Sequence, residues 1–358
     1  MKKNVIISII IVFLLTSCET LIQELNRFSE TTTKFIEEAG NDRNNEDNGN
    51  KIDEKVTKST RTEIIDPEFT KYKSLNDNEQ RYIEFKDSDE ELFVKIKMLD
   101  YINLSREKFN VSKLELDILA SRTANKMSYE AAKNNFMGHW NLNGEKPYHR
   151  YAISGGFDHV TENAAASWST NSFINNSTTA LNFMKEAHNS FMAEKAPNDG
   201  HKKNVITKEH NYVGIGYKII GNQFRYYEEY IDRYLDISTG GTSLTTGMDA
   251  SFSFKTLSEK LYPYSVIVYY EASLKKMTSK EINNMGSYSD FSNNTVFSVW
   301  PWELPEKNKN GYITISFPVQ KKGSYYVNIY LSDKPNTDTR SANTVGKIQA
   351  SGIVFFVE

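Results

Sequence analysis

Apolar residues recur at helical spacing from Leu92 onward. Phe93, Ile96, Leu99 and the Tyr101–Ile102 pair mark one face, and Leu116, Leu119, Thr123, Ala124 and Met127 mark a second. A third periodic stretch runs through Ala180, Met184, Ala187 and Phe191, with Pro197 as its stop signal. The period then changes. Residues 212–220 and 224–231 are extended runs on either side of Gly221-Asn222, a pairing that predicts a hairpin. Helices together with an antiparallel hairpin predict an α+β layered domain over residues 92–237. The Gly, Ser and Thr of residues 238–243 read as a linker. Beyond them every apolar run is short: 251–257, 265–272, 295–302, 312–319, 324–332 and 353–357. Separated by Gly, Asn, Pro and Asp, these predict an all-β, β-sandwich-like C-terminal domain over 245–358. There is no convincing internal repeat.

The first sixty residues show no such pattern. Lys2 and Lys3 precede an almost unbroken apolar run from Val5 to Leu15, and Thr16-Ser17-Cys18 comes directly after it. The run is too short for an ordinary spanning helix and reads as the apolar part of a signal peptide, residues 1–17. Small residues ahead of the chain's single cysteine resemble a bacterial lipobox, which implies lipidation of Cys18 and anchoring to a membrane. Residues 18–60 are polar and of low complexity and read as a flexible tether. Residues 61–91 form a lead-in segment, in which Tyr72, Tyr82, Ile83 and Phe85 suggest docking onto the α+β domain.

Composition narrows the picture. With 358 residues, 39% hydrophobic and 13% aromatic, the chain is able to bury at least one sizeable core. A net charge of −3 argues against a nucleic-acid partner, which needs a basic face. With one cysteine no internal disulfide forms, so an exported domain of this kind relies on its core.

Several motifs in the α+β region occur in a telling order. Ile102-Asn103-Leu104-Ser105-Arg106 comes first, then Gly138-His139-Trp140, Arg150 and Gly156-Phe157. Thr161-Glu162-Asn163-Ala164-Ala165, Phe191-Met192-Ala193-Glu194 and Gly200-His201-Lys202-Lys203-Asn204 come next, and Val213–Tyr217 and Tyr226–Tyr230 close the series. Each alone is weak. As an ordered set, from about Leu92 to Asp236, they resemble the CAP superfamily, also called SCP-like: cysteine-rich secretory proteins, antigen 5 and pathogenesis-related proteins. Phe191 stands where the family has Trp, and 195–199 is insertion-like. Glu186 and His188 are rivals to Glu194. The C-terminal β region lies outside the resemblance.

The resemblance implies an α-β-α sandwich carrying a cleft with two histidines and two glutamates. His139 and His201 would offer imidazole nitrogens to Zn²⁺ or another divalent cation, with Glu162 and Glu194 as cleft carboxylates that orient the rings or bound water. Such binding would weaken as pH falls and imidazoles protonate. If the site is catalytic, these four residues would carry the chemistry, as a metal-dependent hydrolase acting on peptide or envelope polymer. The alternative is a hydrogen-bonded network that fixes loop geometry. The reading preferred here is a lipid-anchored cell-envelope protein that binds a protein, lipid or glycan partner rather than an enzyme; a structural envelope protein is the third reading. His149 and His210 read as surface or turn residues, and His159 as lying outside the cleft. Lys202-Lys203 reads as a solvated face, Tyr226 and Tyr230 as packing residues on one strand face, and Trp300-Pro301-Trp302 as an edge-strand bulge.

Overall fold

A computed structural model describes residues 66–289, 294–335 and 342–358, and Asp66–Glu358 forms one compact unit. The expected signal peptide, Cys18 and the tether lie outside the described residues. Among the described residues no helix is long and apolar enough to cross a membrane.

The lead-in segment is more structured than expected. Helix α1 (Pro67–Asn78) starts on Asp66, whose carboxylate accepts the Glu68 and Phe69 N–H groups. After a 3₁₀ turn at Ile83–Phe85, α2 (Asp89–Glu107) opens on a reciprocal capping box between Ser88 and Glu91. That box starts the helix before residue 92, where apolar periodicity first becomes visible. Tyr72 is buried and its hydroxyl accepts the Leu116 N–H at 3.1 Å, whereas Ile83 stays exposed.

Next come β1 (Glu115–Leu116), α3 (Ile118–Asn134), α4 (Pro147–Ile153), β2 (His159–Trp168), α5 (Ser177–Ala193) and α6 (Gly200–Ile206). The hairpin strands β3 (Tyr212–Ile220) and β4 (Gln223–Asp232) complete a sheet of order β1-β3-β4-β2. Gly221-Asn222 forms the hairpin turn, with Ile220 opposite Gln223. Strand β2 runs antiparallel to β4 at the sheet edge and sets Glu162 opposite Glu229.

Helix α3 covers one face of this sheet at very close range. A Cβ on Gly214 would come within 2.4 Å of the Ala120 carbonyl carbon, and one on Gly216 within 2.1 Å of that of Ala124. Glycine at alternate positions of β3 is therefore what lets the helix settle. The other face carries α5, which packs on α2. Alternation along β4 distributes its side chains accordingly: Glu229 meets Thr123 of α3, while Glu228 meets His188 of α5. Tyr226 and Tyr230 share the Glu228 side and are fully buried.

The C-terminal part comprises β5 (Leu235–Thr239), β6 (Ser243–Leu244), β7 (Asp249–Thr256), β8 (Tyr262–Glu271), the short helix α7 (Ser279–Asn283), β9 (Thr295–Val299), β10 (Ile313–Pro318), β11 (Gly323–Ser332), β12 (Ile348–Gln349) and β13 (Ile353–Val357). One sheet has the order β10-β7-β5 and the other β6-β13-β11-β8-β9, with β12 on β11. Phe252, Phe254, Val266, Val268, Phe317, Val327, Ile329 and Phe355 fill the space enclosed by them. This is a two-sheet β arrangement beside an α-β-α sandwich.

Two expectations need correction. The boundary at residue 237 falls inside β5, which pairs with β7 from Leu235↔Thr256 to Thr239↔Phe252. Leu235 belongs to the β core and Ile237 packs against it, so residues placed before the expected linker already belong to the β part. Ser243–Leu244 already pairs with β13, leaving only residues 240–242 between strands. Second, β9 stops at Val299. Trp300-Pro301-Trp302 enters a turn in which Glu303 accepts the Trp300 N–H, and the two indoles stack at 6.3 Å.

Candidate functional site

His139 sits in the irregular segment between α3 and α4, and its Nδ1–H donates to Glu162 Oε1 at 2.8 Å. The other oxygen of Glu162 accepts from the Arg150 guanidinium on α4. Arg150 also donates to the backbone carbonyls of His139 (2.7 Å) and Glu145 (3.1 Å), which ties the loop to the helix. The Glu162 side chain is wholly buried, so a buried carboxylate here requires this cation. Burial works against the Arg150 charge, but Glu162 and Glu229 more than offset it and hold its pKa above the usual value.

The second pair is built locally. Helix α5 ends with Glu194 as its C-cap, and α6 begins six residues later. Glu194 Oε2 accepts the backbone N–H groups of His201 (3.0 Å) and Lys202 (3.3 Å), and Oε1 accepts from His201 Nδ1 at 2.5 Å. Phe191, one turn back on α5, stacks on the His201 ring at 4.7 Å and 19°. Glu194, not Glu186 or His188, is thus the residue set against His201. His188 is buried instead between Glu228 (2.8 Å) and Ser105 (3.0 Å).

Both pairs line one cleft of ≈ 680 Å³, together with Thr161, Asn163, Asn204 and, from the β part, Ser287 and Tyr288. The four residues expected to converge do so. Their exposure differs: the His201 side chain is 38% exposed, Glu194 23%, His139 14% and Glu162 0%. Edge strand β2 explains the layout, since alternation sends Glu162 to the α3 side and Thr161 and Asn163 to the α6 side. Asn163 donates to the His201 carbonyl at 3.1 Å, Asn204 donates to Asn163 at 3.0 Å, and Thr161 donates to Asn204 at 2.6 Å. Lys203 pairs with Asp199 at 2.7 Å, and Lys202 lies over the Phe109 ring at 5.2 Å.

This amide chain runs inward to groups that local motifs do not announce. His210 Nε2 lies 3.0 Å from Asn204 Oδ1, and its Nδ1 donates to Asp232 at 2.6 Å. His159 donates to the other oxygen of Asp232 at 2.7 Å. Burial pushes the Asp232 pKa up, but the charge of His210 and the hydrogen bonds from both rings outweigh it and hold the carboxyl well below its ordinary range. His210 is therefore a buried network residue, not a surface or turn one. His149 is likewise buried, on α4, where desolvation pushes its pKa down to about 3, with Lys146 and Arg150 adding to the effect. Neither burial is signalled locally, because what surrounds each ring lies far along the chain: Tyr230 and Asp232 for His210, Phe356 and Glu271 for His149.

Behind Glu162 lies Glu229. Burial pushes its pKa up to about 8, against the pull of Arg150 and with the help of the Glu162 charge. Its neighbour Thr123 approaches both Glu229 and the Ala120 carbonyl, the latter at 2.8 Å. A hydroxyl has one proton to give, so a protonated Glu229 Oε2 that donates to Thr123 leaves the Thr123 proton for the Ala120 carbonyl.

The chemistry of the donor set fits a divalent cation held by two nitrogens. Each imidazole commits Nδ1 to a carboxylate, which leaves Nε2 as the lone-pair nitrogen of a neutral ring. Among the described residues no three His, Cys, Asp or Glu side chains are grouped to hold a metal ion by themselves. A cation here would therefore complete its shell with water or ligand. Neither carboxylate has an idle oxygen: Glu162 serves His139 and Arg150, and Glu194 serves His201 and two backbone N–H groups.

No protein-family model matches the chain, and no curated protein matches it. Among solved structures, an extracellular protein containing an SCP domain from Bacillus anthracis str. Ames is 20% identical over 38% of this chain and 39% of its own, with a TM-score of 0.30. An outer surface protein from Borrelia burgdorferi is 20% identical over 39% of this chain and 92% of its own, with a TM-score of 0.32. The CAP domain of enterococcal PrgA is 14% identical over 45% of this chain and 69% of its own, with a TM-score of 0.31. The chain spans about two-fifths of the Bacillus protein. An SCP-domain protein described as extracellular, an outer surface protein and a CAP domain are thus among the solved structures that this chain resembles in part.

Proposed function

We propose that this chain is a cell-envelope lipoprotein, anchored through lipid on Cys18, that works by binding at the cleft between His139–Glu162 and His201–Glu194. A divalent cation such as Zn²⁺, held by the two Nε2 atoms and water, would let the cleft capture an oxygen-bearing partner. The observation that carries this reading is the pair of carboxylate-oriented imidazoles on one ≈ 680 Å³ cleft. Binding is favoured over hydrolysis because both carboxylates already spend their oxygens on orientation. A hydrolase needs one of them as base for a bound water.

Calorimetric titration of the full chain with Zn²⁺ at pH 7.5 and pH 5.5 tests the cleft. Uptake at the higher pH, weaker uptake at the lower, and loss of both in the His139→Ala/His201→Ala variant are expected. Zinc at a hundredfold excess over Kd would add about 2.7 kcal/mol to the stability of the wild type alone. Equal uptake by the double variant would overturn the assignment. For the anchor, labelled fatty acid should enter the wild type and not Cys18→Ala.

A further inference from the structure

The β part contributes its own wall to the cleft. The connection leaving β8 does not turn directly into β9 but crosses to the loop that carries His139. The Leu142 carbonyl accepts the Met277 N–H at 2.8 Å, and Asn283 Oδ1 accepts the Met137 N–H at 2.8 Å. Between these two ties sits Ile282, fully buried on the capped helix α7. It packs so closely on Gly138 that a Cβ there, already strained at φ +153, would come within 3.1 Å of its Cγ2. Tyr288 then reaches the site itself. Its ring lies 4.9 Å from that of His139, and its hydroxyl accepts the Glu162 N–H at 3.1 Å.

We infer that Tyr288 is a positioning residue for His139, and that the β part thereby completes the CAP-type cleft. The argument is one of constraint. His139 has no helix or strand of its own, and only Nδ1 is fixed by Glu162. A ring that is held at one nitrogen still pivots about that bond. The Tyr288 ring blocks the pivot. A single His139 tautomer with Nε2 bare is the result, the state that cation capture requires. His201 has a different device, the Phe191 stack, and is independent of Tyr288.

The test has one arm that rests on the zinc reading proposed for this cleft and one that does not. Long-range ¹⁵N spectra of the imidazoles in the full chain report the tautomer of each histidine without any metal. The wild type should show His139 in one form, Nδ1–H. Tyr288→Ala should show a mixture of both tautomers at His139 with His201 unchanged, and Tyr288→Phe, which keeps the ring, should stay close to wild type. In the second arm Tyr288→Ala should bind Zn²⁺ at least tenfold more weakly than wild type and Tyr288→Phe within threefold. An unaltered His139 tautomer in Tyr288→Ala, or mixed tautomers already in the wild type, overturns the inference. If the wild type takes up no Zn²⁺, the cation reading falls and the tautomer spectra alone decide the role of Tyr288.

Discussion

Two glutamates face each other across β2 and β4, and the protein treats them in opposite ways. Glu162 is ion-paired with Arg150, whereas Glu229 has its pKa pushed to about 8 by burial. Because that value lies above the ordinary 4.5, the folded state holds a proton in the intervening range that the unfolded chain has lost. The contribution to stability is complete below pH 4.5 and is lost as pH rises through 8. Glu229→Gln keeps the shape and cannot ionise. Denaturant midpoints should therefore match wild type at pH 4 and exceed it at pH 9; equal midpoints at both would mean an ionised Glu229. Arg150→Met leaves Glu162 buried without its cation and should cost about 3–5 kcal/mol in the same assay. At this scale His139, Glu162, Glu194 and His201 were legible because each sits in a short motif. Arg150 was visible as a motif residue, but its clamp on Glu162 was not. Nothing near Tyr288 in sequence points to Glu162, 126 positions away.

Among the elements, the long helices were readable from recurring apolar positions and the β3–β4 hairpin from two extended runs about Gly221-Asn222, although β4 is buried on both faces. Strand β2 was not. It is an edge strand whose Thr161, Glu162 and Asn163 all serve the cleft network, so polar residues fall on both faces and no alternation results. Helices α4, α6 and α7 are too short to show a period. The glycines of β3 carry the sharpest prediction. Gly216→Ala forces α3 away from the sheet at Ala124, and overpacking of this kind should cost about 1–3 kcal/mol. Thermal melting checks the loss. An alanine at Gly240, which has open space around it, is the control and should leave the melting temperature near wild type.

On the scale of the whole molecule, the α-β-α and β parts share a core. Tyr148 of α4 stacks on Tyr326 of β11 at 4.2 Å and 16°, in one apolar cluster with Leu119, Val160 and Val354. Lys146 and the Tyr148 hydroxyl both bind Glu271, the last residue of β8. No spacer separates the last strand of one part from the first of the next. Unfolding should accordingly proceed as a single transition by both tryptophan fluorescence and far-ultraviolet dichroism. Tyr326→Ala should lower it for both probes by about 3–5 kcal/mol. Two separate transitions would show the parts to be independent. The β pairing already begins at Leu235, ahead of the change in composition near residue 240, and composition carries no information about whether two architectures are fused or merely tethered.

The hydrogen bond from the Glu162 N–H to Tyr288 has one more consequence. That N–H points away from β4, off the open side of the terminal strand, where a stranger's backbone would otherwise zip on. A phenol is a blunt stopper: it takes the donor and offers no continuing ladder. The molecule thus guards a vulnerable margin with the same side chain that shapes its pocket, and sparing one function while removing the other would take a residue that fills the space without accepting the bond.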